Sequence, residues 1–151
     1  SKKVIFKHSN LENFKTNNRF DLITIWGVLG YFDDYETILN KYIKMMKTKS
    51  SFSIFHVFNE SPYDTVFRIK YRKKLINPGY NFFSLKNILN FFKKKKFNVK
   101  ISKFLLKRHI RKNKTKPLNQ YTCGKGNKKL ILNQLNLNFT YYHIIATKID
   151  K

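Results

Sequence analysis

His56 lies in an apolar run, Ser51 to Phe58, that ends at Asn59-Glu60. An imidazole there can take a proton from a nucleophile near neutral pH, and it can equally be a satisfied structural histidine inside a strand. Asp33 and Asp34 are adjacent carboxylates, the residue type of general acid and base work. They stand directly before a helical pattern, however, where capping explains them. Trp26 precedes Gly27 at the end of another apolar run and reads either as core filling or as a surface for a bound ring. His8, His109 and His143 have no partners at metal-ligand spacing, and the single Cys123 excludes a multi-thiolate zinc site, so no metal is assigned. Lys93 to Lys96 is a solvated helix end or a phosphate contact. Gly124-x-Gly126 has no amphipathic helix after it and reads as a turn.

These residues need elements to hold them. Phe20 to Trp26 is almost continuously apolar and rich in β-branched residues, the pattern of a central parallel strand, and Gly27 and Gly30 break it. Asp33 with Glu36 three residues on predicts a capping box. Tyr35, Ile38, Leu39, Tyr42, Ile43 and Met46 then follow at helical spacing, so a helix is expected over Asp33 to Lys47. Ser51 to Phe58 predicts a second buried strand, and Val4 to Phe6 a short one. Thr65 to Arg72 fits a short amphipathic helix, and Asn77-Pro78-Gly79 a turn. Ser84 caps a second helix whose core face is Leu85, Ile88, Leu89 and Phe92. Strands are expected over Asn98 to Phe104 and Asn136 to Thr147, with a strand-turn-strand around Gly124 to Asn127 between them. The order predicts one α/β domain with a mostly parallel sheet and an antiparallel C-terminal edge.

The chain has 151 residues, 42% of them hydrophobic and 17% aromatic, enough to bury a core despite a formal net charge of +24. That charge points to a polyanion partner such as RNA. A rival cause is A/T-rich coding drift. Lys greatly outnumbers Arg, Asn, Ile, Phe and Tyr are abundant, and Ala146 is the only alanine. Phe67-Arg68-Ile69-Lys70-Tyr71-Arg72 interleaves aromatic and basic residues as single-strand binders do, though its apolar members can equally be buried. The lone cysteine fits a reduced, cytoplasmic setting, and no apolar run nears the roughly 18 to 20 residues of a membrane span. Ser1-Lys2-Lys3 runs straight into Val4-Ile5-Phe6 without an initiator Met, as in a cut through a longer protein.

Phe20-Asp21-Leu22-Ile23-Thr24-Ile25-Trp26-Gly27-Val28-Leu29-Gly30-Tyr31-Phe32-Asp33-Asp34 resembles the fourth strand and following loop of the class I S-adenosylmethionine-dependent methyltransferases. Phe6 to Phe14 is similar to that family's third strand and its exit, Ser51 to Glu60 falls at the fifth strand, and Asn81 to Phe97 resembles the passage before the sixth. The resemblance covers nearly the whole chain, with Lys107 to Leu132 its weakest part. It implies a Rossmann-like sheet, S-adenosylmethionine as cofactor and methyl transfer to an acceptor, here a small molecule. Asn10 stands where the family has an adenine-binding Asp, and Leu11 would offer its backbone amide to the ring. Ile25, Trp26 and Gly27 end the fourth strand, and Tyr31 matches the aromatic position facing the cofactor. Residues 60–80 and 107–132 become substrate-covering insertions, with Glu60, Tyr63 and Arg68 as acceptor contacts. The family's glycine-rich first loop and its ribose-binding acid are absent. The expectation is therefore an N-terminally truncated domain running from the third strand to the C-terminus, with both features upstream of Ser1.

Under the drift reading, single-stranded RNA oligomers of increasing length show no strongly length-dependent retention at physiological salt. A filter-binding series checks this, and steep length dependence would favour the RNA-binding alternative.

Overall fold

A computed structural model describes residues 4–71, 74–116, 118–126, 129–135 and 137–149, with backbone alone over 69–79. The elements in chain order are β1 (Phe20–Trp26), α1 (Tyr35–Ile43), β2 (Met46–Val57), β3 (Thr65–Tyr71), β4 (Lys74–Phe82), α2 (Leu85–Lys94), β5 (Phe97–Lys103), β6 (Tyr121–Cys123), β7 (Leu130–Leu132) and β8 (Tyr141–Lys148). A single 3-10 turn, Leu29–Tyr31, separates β1 from α1.

The main sheet has the order β1-β2-β8-β5. β1 and β2 are adjacent and parallel, with Ile25 opposite Ile54 and Trp26 opposite Phe55, as their sequences predict. β8 runs antiparallel to both β2 and β5, so β1, β2 and β5 point the same way. Two corrections follow. The last strand is not an antiparallel edge but lies inside the sheet, and only one of the sheet's three pairings is parallel. The sequence of β8 suits that interior place, because Ile144 and Ala146 are fully buried. The lone alanine sits opposite Phe52 on one side and Val99 on the other. Its small side chain leaves room for the cluster of Phe52, Phe92 and Phe97, whose ring centroids are 5.5 to 6.1 Å apart.

Both helices pack on one face of this sheet. Ile38, Leu39 and Tyr42 from α1 and Ile88, Phe91 and Phe92 from α2 join Phe52, Ile54 and Ile144 in one core. Asp34, rather than Asp33, caps α1, accepting from the backbone N–H of Glu36 (2.8 Å) and Thr37 (3.2 Å). The cap is therefore displaced by one residue, and in place of the expected capping box with Glu36, Thr37 Oγ1 donates to Asp34 Oδ2. The helix also ends at Ile43 rather than Lys47, and Met46 already belongs to β2. Ser84 caps α2 as expected, accepting from Asn87 N–H.

Four further expectations fail or shift. Val4 to Phe6 forms no strand and is exposed, Phe6 by 92%. Local β-propensity does not make a strand without a partner to bond, and no described residue pairs with β1 on that edge. Thr65 to Arg72 is not a helix: its described part is β3, antiparallel to β4. The alternation of Thr65, Phe67 and Ile69 with Val66, Arg68 and Lys70 has the two-residue period of a strand. Asn77-Pro78-Gly79 lies within β4, where the register with β3 is irregular, rather than in a turn. The strand expected from Asn136 begins at Tyr141. A small second core of Val57, Phe82, Ile131 and Phe139 ties β3-β4 and the β6-β7 ribbon to the end of β2.

Two glycines near β1 distinguish strain from crowding. Gly27 has φ +70° with open space around it, so Gly27→Ala costs only the backbone penalty of about 1 kcal/mol. A β-carbon on Gly30 would lie 2.7 Å from the Asn81 carbonyl oxygen and 3.1 Å from the His56 ring. Gly30→Ala therefore costs more, about 2 to 3 kcal/mol, since a backbone atom must move. Urea denaturation of the two variants measures the order.

Candidate functional site

The carboxyl ends of β1 and β2 meet the Leu29–Tyr31 turn, and a cavity opens on either side of it. The first, of about 390 Å³, is walled by Leu11, Phe14, Ile25, Trp26, Val28 and Phe32 among others. Its rim loop is held from α1: Lys41 Nζ (2.9 Å) and Tyr42 OH (3.1 Å) both donate to the Leu11 carbonyl. Asn10 turns inward on its own loop, its Oδ1 accepting from Glu12 N–H at 2.8 Å and its carbonyl from Phe14 N–H at 2.9 Å. A carbonyl oxygen has a second lone pair, so Asn10 keeps acceptor capacity.

Trp26 is 62% exposed. Its indole N–H donates to Ser53 Oγ (3.3 Å), which also meets His143 Nε2 at 2.9 Å. That relay fixes one edge of the indole. Gly27 closes the strand, its N–H bonded to the Phe55 carbonyl at 2.8 Å, and its left-handed φ turns the chain into the loop.

On the other side of the turn Tyr31 faces a second cavity, of about 270 Å³, together with Phe67, Tyr80, Phe139, Gln120 and Asn133. Tyr31 and Tyr80 meet edge to face at 5.4 Å. Burial raises the Tyr80 phenol well above its ordinary range, so it remains protonated.

Behind Tyr80 sits His56, whose ring centroid is 5.8 Å from that of Tyr80. It is fully buried, and neither ring nitrogen has a hydrogen-bond partner among the described residues. Burial pushes its imidazole down to about 4, partly opposed by the Asn81 backbone. His56 is thus neutral at physiological pH, but it lines neither cavity. Asn81 clamps the turn to β4, its Nδ2 donating to the Phe32 carbonyl (2.7 Å) and to Asp33 Oδ1 (3.2 Å).

The fold separates the three expected acceptor contacts. Glu60 accepts from Lys103 Nζ at 2.7 Å and from the Tyr142 hydroxyl, at the edge of a third cavity of about 560 Å³. The hydrogen bond from Lys103 lowers its carboxyl below the usual range. Tyr63 is 75% exposed and, among the described residues, is held through its backbone: its carbonyl accepts from Asn59 Nδ2 at 2.7 Å and its N–H donates to Ser61 Oγ at 3.4 Å. Arg68 reaches Asp33 at 3.3 Å, an exposed pair of small energetic weight. Of the residues expected at the cofactor, Leu11, Ile25 and Trp26 line the first cavity, Asn10 and Gly27 flank it in sequence, and Tyr31 lines the second. Gln120, Asn133 and Phe139 were not singled out in the sequence. They lie 89 or more residues from Tyr31, and only the pairing of the late strands brings them near it.

No family model matches the chain, and no curated protein matches it in sequence. Solved structures do match. A methyltransferase dependent on S-adenosylmethionine from Methanosarcina mazei aligns over 99% of this chain and 69% of its own, with a TM-score of 0.61 and 12% identity. The 1,6-didemethyltoxoflavin-N1-methyltransferase of Burkholderia thailandensis, solved with 1,6-didemethyltoxoflavin and S-adenosylhomocysteine, aligns over 94% of this chain and 49% of its own (TM-score 0.52, 14% identity). The glycopeptide N-methyltransferase MtfA, in complex with S-adenosylmethionine, aligns over 95% and 59% (TM-score 0.52, 6% identity). The chain therefore spans about half to two thirds of the length of these proteins and has their α/β fold.

The buried imidazole sets a pH dependence. In the unfolded chain a histidine titrates near 6.5, whereas folded His56 stays neutral down to about 4. Between those values the unfolded state binds the extra proton, so stability falls as pH drops, by about 1.4 kcal/mol per unit at most. Above 6.5 the contribution is fully present. His56→Leu removes this slope, and urea denaturation at pH 7.5, 5.5 and 4.5 reads the difference between variant and parent.

Proposed function

We propose that this chain is part of an S-adenosylmethionine-dependent methyltransferase acting on a small-molecule acceptor, with the cofactor's adenine in the cavity at the end of β1. The observation that carries this reading is that cavity's position. It runs along the outer edge of β1 to the carboxyl end of that parallel strand, the end at which open α/β sheets hold nucleotides, in a chain with the fold of enzymes that use this cofactor.

The residues present fit part of the cofactor. Leu11, Ile25, Trp26 and Phe32 offer an apolar slot for a flat purine, and Asn10 Oδ1 remains an acceptor for an exocyclic amine. Among the described residues no carboxylate lines the slot to take ribose hydroxyls. The bound cofactor supplies an activated methyl group on a sulfonium centre. The chain's own part is to seat the purine, exclude water with Phe14, Val28 and Phe32, and present the acceptor from the Tyr31 side of the same turn. His56 then acts as packing behind Tyr80 and leaves the proton-accepting group of the reaction unassigned.

We further infer that a preceding segment completes the site. β1 has no partner on its outer edge among the described residues, and the sheet face opposite the helices leaves Leu22 and Trp26 more than half exposed. A glycine-rich loop and an acidic residue on such a segment would hold the methionine and ribose ends, so the 151 residues alone are inactive. The setting is cytoplasmic in this reading. No helix among the described residues is long and apolar enough to cross a membrane. The RNA-binding alternative draws nothing from the structural neighbours.

Calorimetry tests the reading. The 151-residue chain is expected to bind S-adenosylmethionine weakly or not at all, because losing a few polar contacts at about 1 to 3 kcal/mol each weakens binding by several powers of ten. A longer polypeptide with the upstream segment is expected to bind it, and Trp26→Ala to weaken that binding through lost packing. Tight binding to the 151 residues alone, or none to the longer protein with an intact loop, would refute the placement.

A further inference from the structure

Among the described residues the cavity beside Tyr31 is lined by no charged side chain, in a protein of net charge +24. Its wall is built from aromatic rings that meet edge to face: Tyr31 on Tyr80, Phe67 on Phe82 at 4.9 Å, and Phe82 on Phe139 at 5.4 Å. Rings fixed by their edges leave faces available for stacking.

Two amides complete the lining, and each is held at one end only. Gln120 Nε2 donates to the Tyr141 hydroxyl at 2.7 Å, and its Oε1 has no partner among the described residues. Asn133 is the reverse case. Its Oδ1 accepts from Leu135 N–H (3.0 Å) and Leu137 N–H (3.2 Å), and its Nδ2 has no partner among the described residues. Asn133 is only 2% exposed as a residue, yet its Nδ2 is not fully buried and so stays accessible as a donor. Tyr121 pairs with Leu132 in the β6-β7 ribbon. The register therefore sets position 120 across from position 133, which places one free acceptor and one free donor at the same end of the ribbon.

We propose that this cavity binds the acceptor substrate as a flat, uncharged heteroaromatic ring that presents one hydrogen-bond donor and one acceptor along a single edge. The proposal rests on the methyltransferase reading for the word acceptor, but the ring site stands on its own lining. A volume of about 270 Å³ suits one mono- or bicyclic ring rather than a peptide or a nucleic-acid strand. An anion would find no cation in the wall. An ammonium group would find aromatic faces but no carboxylate, in a chain whose overall field repels it.

The test uses the 151-residue chain without cofactor and three probes of similar size: 2-quinolinone, naphthalene-2-carboxylate and benzyltrimethylammonium. Calorimetry and ligand-observed saturation-transfer NMR are expected to show saturable binding of 2-quinolinone and at least tenfold weaker binding of both ions. Tyr31→Ala removes a largely exposed ring and is expected to weaken 2-quinolinone about tenfold without moving the urea midpoint. Gln120→Leu is expected to weaken it severalfold while leaving naphthalene-2-carboxylate unaffected. Absent saturable binding of 2-quinolinone, either ion binding equally well, or a Tyr31→Ala variant with full affinity would overturn the proposal. Because the cofactor is left out, the two readings fail separately. Ring binding with no S-adenosylmethionine binding by the longer protein ends the methyltransferase reading alone, and the opposite pattern ends the substrate class alone.

Discussion

Gly30 lies against the Asn81 carbonyl so closely that no β-carbon fits between them, and both cavities of the site depend on that contact. Asn81 answers from β4 by donating to Phe32 and Asp33 on the far side of the same turn. The Leu29–Tyr31 turn is thereby pinned to the β3-β4 ribbon as well as to β1. Val28 and Phe32 are presented to one cavity and Tyr31 to the other. A larger residue at position 30 would move the turn off Asn81 and shift both walls at once, which couples the shape of one cavity to that of the other.

The same junction explains why an unpaired imidazole is tolerated. His56 is wedged between Gly30, Asn81, Phe58 and Tyr80, and neither ring nitrogen is hydrogen-bonded among the described residues. Leaving it unpaired costs about 1 to 3 kcal/mol by the general scale for buried polar groups. The surrounding contacts are not local to His56, however. Phe58, Ile54 and Tyr142 belong to the main core, while Tyr80 and Phe82 pack in the second one. Their combined burial outweighs one unsatisfied ring. The sequence placed His56 correctly at the carboxyl end of a strand, yet it could not say whether the side chain faced a cavity or a packed interior. That depends on Asn81 of β4, which arrives 25 residues later.

What was legible in the residues is what short-range chemistry decides. Apolar runs with β-branched residues marked β1 and β2, the 3.6-residue spacing marked the buried faces of α1 and α2, and the Ser84 hydroxyl marked where α2 begins. The errors share one cause, dependence on a partner distant in sequence. Val4 to Phe6 has the composition of a strand and nothing described to pair with. β8 looks like an edge from its turn-rich approach, but Ile144 and Ala146 are flat enough to pass between β2 and β5. Thr65 to Tyr71 misled because a basic amphipathic stretch satisfies helical spacing loosely, whereas it pairs antiparallel with β4, in regular register from Thr65 to Phe67 and with shifts beyond. For the site, Trp26 and Leu11 followed from their position beside a strand end. Gln120 and Asn133 carried no local signal, since amides before and after short strands are ordinary turn residues.

The net charge takes on a different meaning beside this architecture. Lys41 bonds the Leu11 and Glu12 carbonyls, Lys47 pairs with Asp21, Lys103 with Glu60, and Lys129 with the Lys107 carbonyl. Each is a partly exposed contact worth at most about 1 kcal/mol, spread over different elements rather than gathered on one groove. The described lining of the cavity beside Tyr31 meanwhile holds no cation, although lysine is abundant along the sequence. A drift toward lysine codons fills positions where a charge is cheap, which is the solvated surface. It does not reach positions where desolvation of an ammonium would cost several kcal/mol, as it would among Phe67, Phe82 and Phe139. Under the drift reading, the Phe, Tyr and Asn of this lining are residues that drift favours as well, and burial keeps only lysine out of its described part.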